Sequence, residues 1–288
     1  MNVQTVAQAL VSGLLSGFVF ALISAGLSLI FGVMEIVNFA HGEFLMISMY
    51  LSYFLYKGLH WDPIAALPVN AVALFALGVL VYYALIRRVL RAPMLAQIFA
   101  TFGLGVFLQN LAQFLFRPDF RTLGETSVSG RLAVAGVFIA GPQLAAAAGA
   151  IVTTFGLWVL LTRTEIGKAL LATAEDRQAA ALMGIDPDRM LALSWGLGAA
   201  CVGVAGALLS TFYYIFPQVG GVFALIAFVA VALGGFGSIA GAFVGGVLIG
   251  VVESFAGVLV APAVKNVFVF GIYLAVVLLR PRGLMGKQ

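Results

Sequence analysis

The sequence predicts an all-α polytopic membrane protein with about eight or nine transmembrane helices, some of them broken, and three observations carry that reading. Hydrophobic residues make up 63% of the 288 and charged residues 9%, with a mean hydropathy of +1.13. A soluble domain of this size would have too few charges to cover its surface. Apolar runs of spanning length recur at about 9–33, 44–57, 63–86, 94–116, 136–161, 190–214, 221–234, 241–260 and 263–280, where about 20 residues suffice to cross a bilayer as a helix. Finally, nine of the 26 charged residues (15 basic, 11 acidic) gather in one mid-chain stretch, Arg163–Arg189. The runs are too long and too uniformly apolar for the strands of an outer-membrane barrel. The chain reads as one transmembrane domain over 1–288, with 163–189 standing in water.

Met1 to Gln8 carry no positive charge and the run that follows is longer than a signal-peptide core, so 9–33 is expected to be a retained span. Three basic stretches set the orientation: Arg87-Arg88-Val89-Leu90-Arg91, the 163–189 segment, and Arg280-Pro281-Arg282-Gly283 with Lys287. Basic residues collect on cytoplasmic loops. Runs 94–116 and 136–161 then join the first two stretches and leave the 117–135 loop outside, and the four runs of 190–280 join the second to the third. Runs 44–57 and 221–234 are short. The N-terminus is outside if 9–33 and 44–57 each cross, and inside if they form one interrupted unit. The net charge of +4 is thus a matter of topology, not of nucleic-acid binding.

The charged segment shows helix punctuation. Thr173 with Asp176 three residues on has the form of a capping box, and Glu175 suits the positive end of a helix. The predicted helix continues through Ala179–Met183 and ends at Gly184, with Ile185 placed for the apolar contact of a Schellman turn. Asp186 before Pro187 starts the next helix, cap first and proline in the first turn. The segment reads as a handle in water between two spans, able to receive force from another protein.

Within the apolar chain the most informative polar cluster is Glu35, Asn38, His41 and Glu43. A charge at bilayer depth costs about 2.5–3.5 kcal/mol on insertion scales, so such side chains face protein or a water-filled path. Asn38 is placed to cap a half-helix beginning at Phe39, and Gly42 allows a second backbone to approach. The other reading puts Glu35 and Glu43 at the headgroups, with His41 as a structural hydrogen-bonder. A second interruption, Gly234–Gly241 with Gly237 and Ser238, falls in the other half of the chain, and paired broken helices point to a transport path and an inverted repeat. Its alternative is a tight cytoplasmic hairpin. Gln97, Gln109 and Asn110 are the polar positions of 94–116; outside stand Arg117, Arg121 and Arg131 with Asp119 and Glu125, and Glu253 is a partner for Lys265. Small residues repeat every fourth position at Gly13, Gly17, Ala21, Ala25; at Ala199, Gly203, Ala207, Thr211; and at Gly237, Gly241, Gly245, a pattern that lets helices pack closely in lipid.

Several functions are excluded. Cys201 is the one cysteine and His41 and His60 the two histidines, so neither a disulfide nor a zinc centre can be built from them. No His-Glu-x-x-His or other intramembrane catalytic set occurs, and no Gly-x-x-x-x-Gly-Lys-Ser/Thr phosphate loop. A secondary transporter or channel shares broken helices and sparse buried charge; the handle is what such a protein does not need.

Gly26–Glu43, Ala100–Asn110, the handle with Ala174-Glu175-Asp176 and Met183-Gly184-Ile185, Leu233–Ala242 and the ending Arg280–Gly286 form ordered blocks. Together they resemble the LivH-type permeases of branched-chain amino acid ABC importers over the whole chain. Leu171 stands where that family commonly has arginine. The resemblance implies a type II-like importer fold of the LivH-LivM class in a bacterial or archaeal cytoplasmic membrane. It also implies a second related permease subunit, two cytoplasmic ATPase subunits that bind the ATP and Mg, and an extracytoplasmic substrate-binding protein. No cofactor is expected in this chain. By the same resemblance Glu165, Gly167, Ala174, Glu175, Asp176, Gly184 and Ile185 couple to the ATPase. Glu35, Asn38, His41, Gly42, Glu43, Gln109, Gly237 and Ser238 are candidates for the translocation path, and Arg117, Arg121 and Arg131 for docking the binding protein. Branched-chain amino acids lead as cargo, while related permeases carry other amino acids, amides or urea.

Overall fold

The computed structural model describes residues 3–134, 136–261, 265–280 and 283–285. Pro281, Arg282, Gly286 and Lys287, which belong to the basic C-terminal stretch, lie outside the described residues.

Every apolar run becomes a helix. These are α1 (Val3–Met34), α2 (His41–Leu59), α3 (Leu67–Val89, with a π-helical turn at Tyr82–Ile86) and α4 (Met94–Phe116) in the first half. A hairpin of β1 (Arg131–Val134) and β2 (Val137–Ala140) precedes α5 (Gly141–Arg163). Two short helices, α6 (Glu165–Glu175) and α7 (Arg177–Leu182), lead to α8 (Pro187–Leu209), α9 (Val219–Gly234), α10 (Ile239–Leu259) and α11 (Lys265–Leu279). The run read as 136–161 therefore begins as a strand. Gly136, at φ +81°, turns the hairpin, and helix starts only where Pro142 enters the first turn of α5.

Contacts at the two ends of the bundle place the hairpin and the charged segment at opposite ends of α1. Near the start of α1 the Gln8 amide brackets Phe138 of the outer hairpin, donating to its carbonyl and accepting from its N–H, both at 2.8 Å. At the other end of α1, Arg177 of the charged segment donates to the Met34 carbonyl (3.2 Å). So α1 crosses from the hairpin side to the handle side. Among the described residues α1, α3, α4, α5, α8 and α10 are long and apolar enough to cross a membrane, and α9 and most of α11 are shorter apolar helices.

Two antiparallel pairs form the frame: α1 against α10 and α3 against α8. The small-residue ladders are the reason. A β-carbon on Gly17 would lie 2.9 Å from the Val247 Cα, one on Gly250 2.3 Å from the Gly17 Cα, and one on Gly203 2.8 Å from the Asn70 carbonyl. Close backbone approach gives packing in a medium where apolar burial alone gives helices no reason to associate. α2 and α9 fill the space between the pairs. The order long helix, broken helix, long helix, edge helix runs through α1–α4 and again, inverted, through α8–α11. α5 and the handle connect the halves.

Candidate functional site: two half-helices and a cytoplasmic handle

The chain leaves α1 at Glu35, one of three non-glycine residues with positive φ (+59°) among the described residues. It then runs extended to Asn38 and turns. The Asn38 carboxamide oxygen accepts from Ala40 N–H (3.1 Å) and its carbonyl from His41 N–H (3.2 Å). Asn38 thus organises the turn ahead of α2, which begins at His41, two residues beyond the expected Phe39. His41 Nε2 donates to the Ile23 carbonyl (3.0 Å), in the middle of α1. The start of α2 therefore lies deep within the bundle, and the helix runs outward from there.

α9 starts at the same depth and runs the opposite way. Gly42 and Gly220 are each the second residue of their helix, and they face one another. A β-carbon on Gly42 would lie 2.1 Å from the Gly220 carbonyl oxygen, and one on Gly220 would lie 2.7 Å from that of Gly42. The contact is reciprocal, as an inverted repeat requires. Glu43 sits in the first turn of α2 with its Oε2 against Gly220, so one carboxylate stands at two positive helix ends. Asn38, His41 and Glu43 are buried (1%, 0% and 7% exposed), and Asn38 Nδ2, His41 Nδ1 and Glu43 Oε2 have no hydrogen-bond partner. Across from them α4 presents one face: Thr101 Oγ1 donates to the Val37 carbonyl (3.0 Å), Gly105 lies over Ala40 and Glu43, and Gln113 approaches Gln218 (3.5 Å). Gln109, on the same face, is half-buried.

The structure separates residues that the sequence grouped. Glu35 is exposed and lines a cavity of about 490 Å³ at the handle end with Gln97, Glu175 and Arg177, whereas His41 is buried against Ile23 in the middle of α1. Gly237 and Ser238 lie in the tight cytoplasmic turn between α9 and α10. There Gly235 and Gly237 take φ of +106° and +80°, and Ser238 caps α10 through Gly241 N–H. The second interruption that matches 35–40 is Ser210–Gln218, ahead of α9. It was missed because it is rich in aromatic residues and reads as the continuation of an apolar span. Its one sequence signal is Pro217 followed by Gly220-Gly221, the counterpart of Gly42.

The handle also differs in detail. Thr164, not Thr173, caps its first helix, accepting from Gly167 N–H (3.0 Å). Thr173 is buried within α6 and donates back to the Ala169 carbonyl (2.8 Å). Asp176 caps the separate helix α7, accepting from Gln178 and Ala179 N–H (2.8 and 3.0 Å). The Schellman turn forms as expected: Gly184 (φ +85°) donates to Ala181 and Ile185 to Ala180 (3.0 and 3.1 Å). Asp186 caps α8, and Asp188 in its first turn holds both Tyr82 Oη (2.8 Å) and Arg87 Nε (3.1 Å) at the end of α3. Glu165 pairs with Lys168 (2.9 Å), buried Gly167 packs on the Leu160 carbonyl, and Ala174 is half-buried. Leu182 and Met183 at the tip are 89% and 82% exposed.

On the outer side Arg117 and Arg131 are exposed, but Arg121 is engaged. Its guanidinium lies 5.1–5.9 Å from the ring centroids of Tyr50, Tyr53 and Phe54 and donates to the Phe116 carbonyl. Its backbone pairs with Ile215, in the broken segment ahead of α9. Arg121→Ala is expected to lower the thermal midpoint by a few degrees, since cation–π contacts contribute about 0.5–1 kcal/mol each; unfolding in detergent reads the shift. Asp62 ties the same loop to α3, accepting from Ser127 and Ile64 N–H (2.7 and 2.9 Å). Burial pushes its carboxyl up, yet these hydrogen bonds prevail and hold it below its ordinary value. Among the described residues no group of His, Cys, Asp and Glu could hold a metal ion.

The family described as branched-chain amino acid transport system, permease component, matches residues 9–277 of the chain. The high-affinity branched-chain amino acid transport system permease protein BraD of Pseudomonas aeruginosa is 34% identical, over 97% of this chain and 95% of its own. The LivH permease protein of Escherichia coli is 30% identical over the same shares. The probable LivH permease of Methanocaldococcus jannaschii is 30% identical over 92% of this chain and 88% of its own. No solved structure matches the chain significantly.

Proposed function

Because the chain belongs to the family of branched-chain amino acid transport permeases, we propose that it is the membrane-spanning subunit of an ATP-driven, binding-protein-dependent importer of branched-chain amino acids. In this reading it works with a second related permease. Two cytoplasmic ATPase subunits bind the ATP and Mg and receive the handle, and an extracytoplasmic binding protein delivers the cargo. The chain is a multi-pass membrane protein and a transport subunit, not itself an enzyme.

The observation that carries the mechanism is the Arg177–Met34 hydrogen bond. It joins the handle to the last turn of α1, next to the left-handed Glu35 where the extended run to His41 and Gly42 begins. Displacement of the handle by nucleotide-driven closure of the ATPases would pull on that run and separate the two half-helix starts. The polar groups of Asn38, His41, Glu43 and Gln109 would then face the opened passage, while Glu35 lines its cytoplasmic mouth. Gly237 and Ser238 serve as the turn that holds α9 to α10. Arg117 and Arg131 are the outer charges left for an acidic binding protein, so that its association weakens with added salt.

The test is leucine uptake into vesicles carrying the reconstituted complex, with and without ATP and binding protein. Arg177→Ala should leave the complex assembled and hydrolysing ATP while uptake per ATP falls about tenfold or more, the size of one hydrogen bond to a charged group. No ATP-driven leucine uptake by the unaltered complex would refute the function. Unchanged coupling in Arg177→Ala would refute the linkage.

A further inference from the structure

Away from the half-helix junction, a cavity of about 410 Å³ opens toward the outer end of the bundle between α1, α9, α10 and α11. A narrower one of about 190 Å³ continues from it along α9. Phe20, Tyr213 and Phe223 border both, with the Phe223 ring 5.1 Å from Tyr213 and 6.1 Å from Phe20. Glu253 and Lys265 also border both, and among the described residues they are the only charged ones lining either cavity. They form an ion pair, Glu253 largely buried and Lys265 partly open to the space.

Charges placed within membrane-spanning helices are expensive, and a buried pair seldom adds net stability over apolar residues of the same size. This pair has one anion and one cation side by side in a wall that is otherwise aromatic, aliphatic and neutral polar. That is the complement of a zwitterion carrying an apolar side chain. We infer that Glu253 and Lys265 are an amino-acid subsite on the outer side of the permease. The cargo's α-ammonium takes the Glu253 carboxylate and its α-carboxylate takes the Lys265 ammonium. Its aliphatic side chain rests on Phe20, Tyr213 and Phe223. Each charge exchanges one opposite partner for another, so no lone charge is left in the wall and the contact stays weak enough for release inward. The inference rests on the amino-acid cargo proposed above and adds the place of first contact within the membrane.

The test uses the whole complex in lipid discs, without binding protein, carrying Val258→Cys in a Cys201→Ala background. Val258 lines the outer cavity and is 48% exposed. Millimolar L-leucine should slow its labelling by a water-soluble thiol reagent several-fold. Neither 3-methylbutylamine, which lacks the carboxylate, nor 4-methylpentanoate, which lacks the ammonium, should do so. Glu253→Gln should abolish the protection and Lys265→Arg should keep it. Equal protection by a singly charged analogue, no protection by leucine, or protection surviving Glu253→Gln would overturn the subsite. The analogue arm leaves the pair unaltered and so does not depend on how the variants fold. If the cysteine-bearing complex imports leucine with ATP yet shows no protection, the subsite alone fails; if it imports none, the cargo assignment fails with it.

Discussion

Gly42→Val is expected to abolish leucine uptake and to prevent a stable fold, the largest effect of any single substitution considered. The added β-carbon would stand 2.1 Å from the Gly220 carbonyl oxygen. That obstacle is backbone in a helix first turn, which no rotamer change can move. Overpacking costs about 1–3 kcal/mol where side chains can shift, and here the upper end or more applies, over a hundredfold in the folded population. Gly42→Ala should already be severe, because the clash begins at the β-carbon. The control lies one residue beyond the partner glycine. Gly221 has no atom within 4 Å of an added β-carbon, and Gly221→Ala should be neutral or gain up to about 1 kcal/mol of helix propensity. Thermal unfolding in detergent and vesicle uptake read both. A Gly42→Val protein that melts and transports like the parent would mean that the two half-helices do not meet as described.

Leu182→Asp with Met183→Asp should detach the ATPase subunits while leaving the permease inserted and folded. Both side chains project from the end of α7, almost wholly exposed. Two adjacent apolar side chains at the tip of a charged, water-facing element are the surface that an ATPase subunit would cover in the proposed assembly. Apolar anchors at the centre of an interface cost 2 kcal/mol or more when truncated, about thirtyfold in affinity, and a carboxylate in their socket costs more. Co-purification of the ATPase measures this directly. Gly184 refines the test because its role is conformational: at φ +85° nothing lies within 4 Å of an added β-carbon. Gly184→Val should strain the turn by about 1–2 kcal/mol and misdirect the knob, while Gly184→Asn, which tolerates that conformation, should couple nearly normally. Equal coupling in the two variants would sink the turn's role, and full ATPase recovery with the double aspartate would sink the knob's.

The type and approximate bounds of the apolar helices were legible in the sequence, because hydropathy over about 20 residues is a local quantity; their number as full spans was not, since six of them, among the described residues, are long and apolar enough to cross. So were the caps at Asp176 and Asp186 and the Schellman turn at Gly184, each resting on contacts within five residues. Thr173 was misread because a capping box and a threonine bonding back within a helix share the same local residues; only the packing of α6 on α5 makes Thr164 the start.

What only the tertiary structure decided is which breaks meet. Composition singles out Gly234–Gly241, whose glycines serve a turn, and passes over Ser210–Gln218, whose aromatic residues look like span. Gly42 and Gly220 are 178 positions apart in the chain, and nothing local links them. Their contact exists because α1 seats on α10 and α3 on α8, which brings two helix starts to one depth with no room for a β-carbon between them. The same long-range packing moves Glu35 away from His41 and draws Arg121 onto three rings. Sequence determines where the chain must be helical and where it must break. The close approach of distant backbones determines what each break is for.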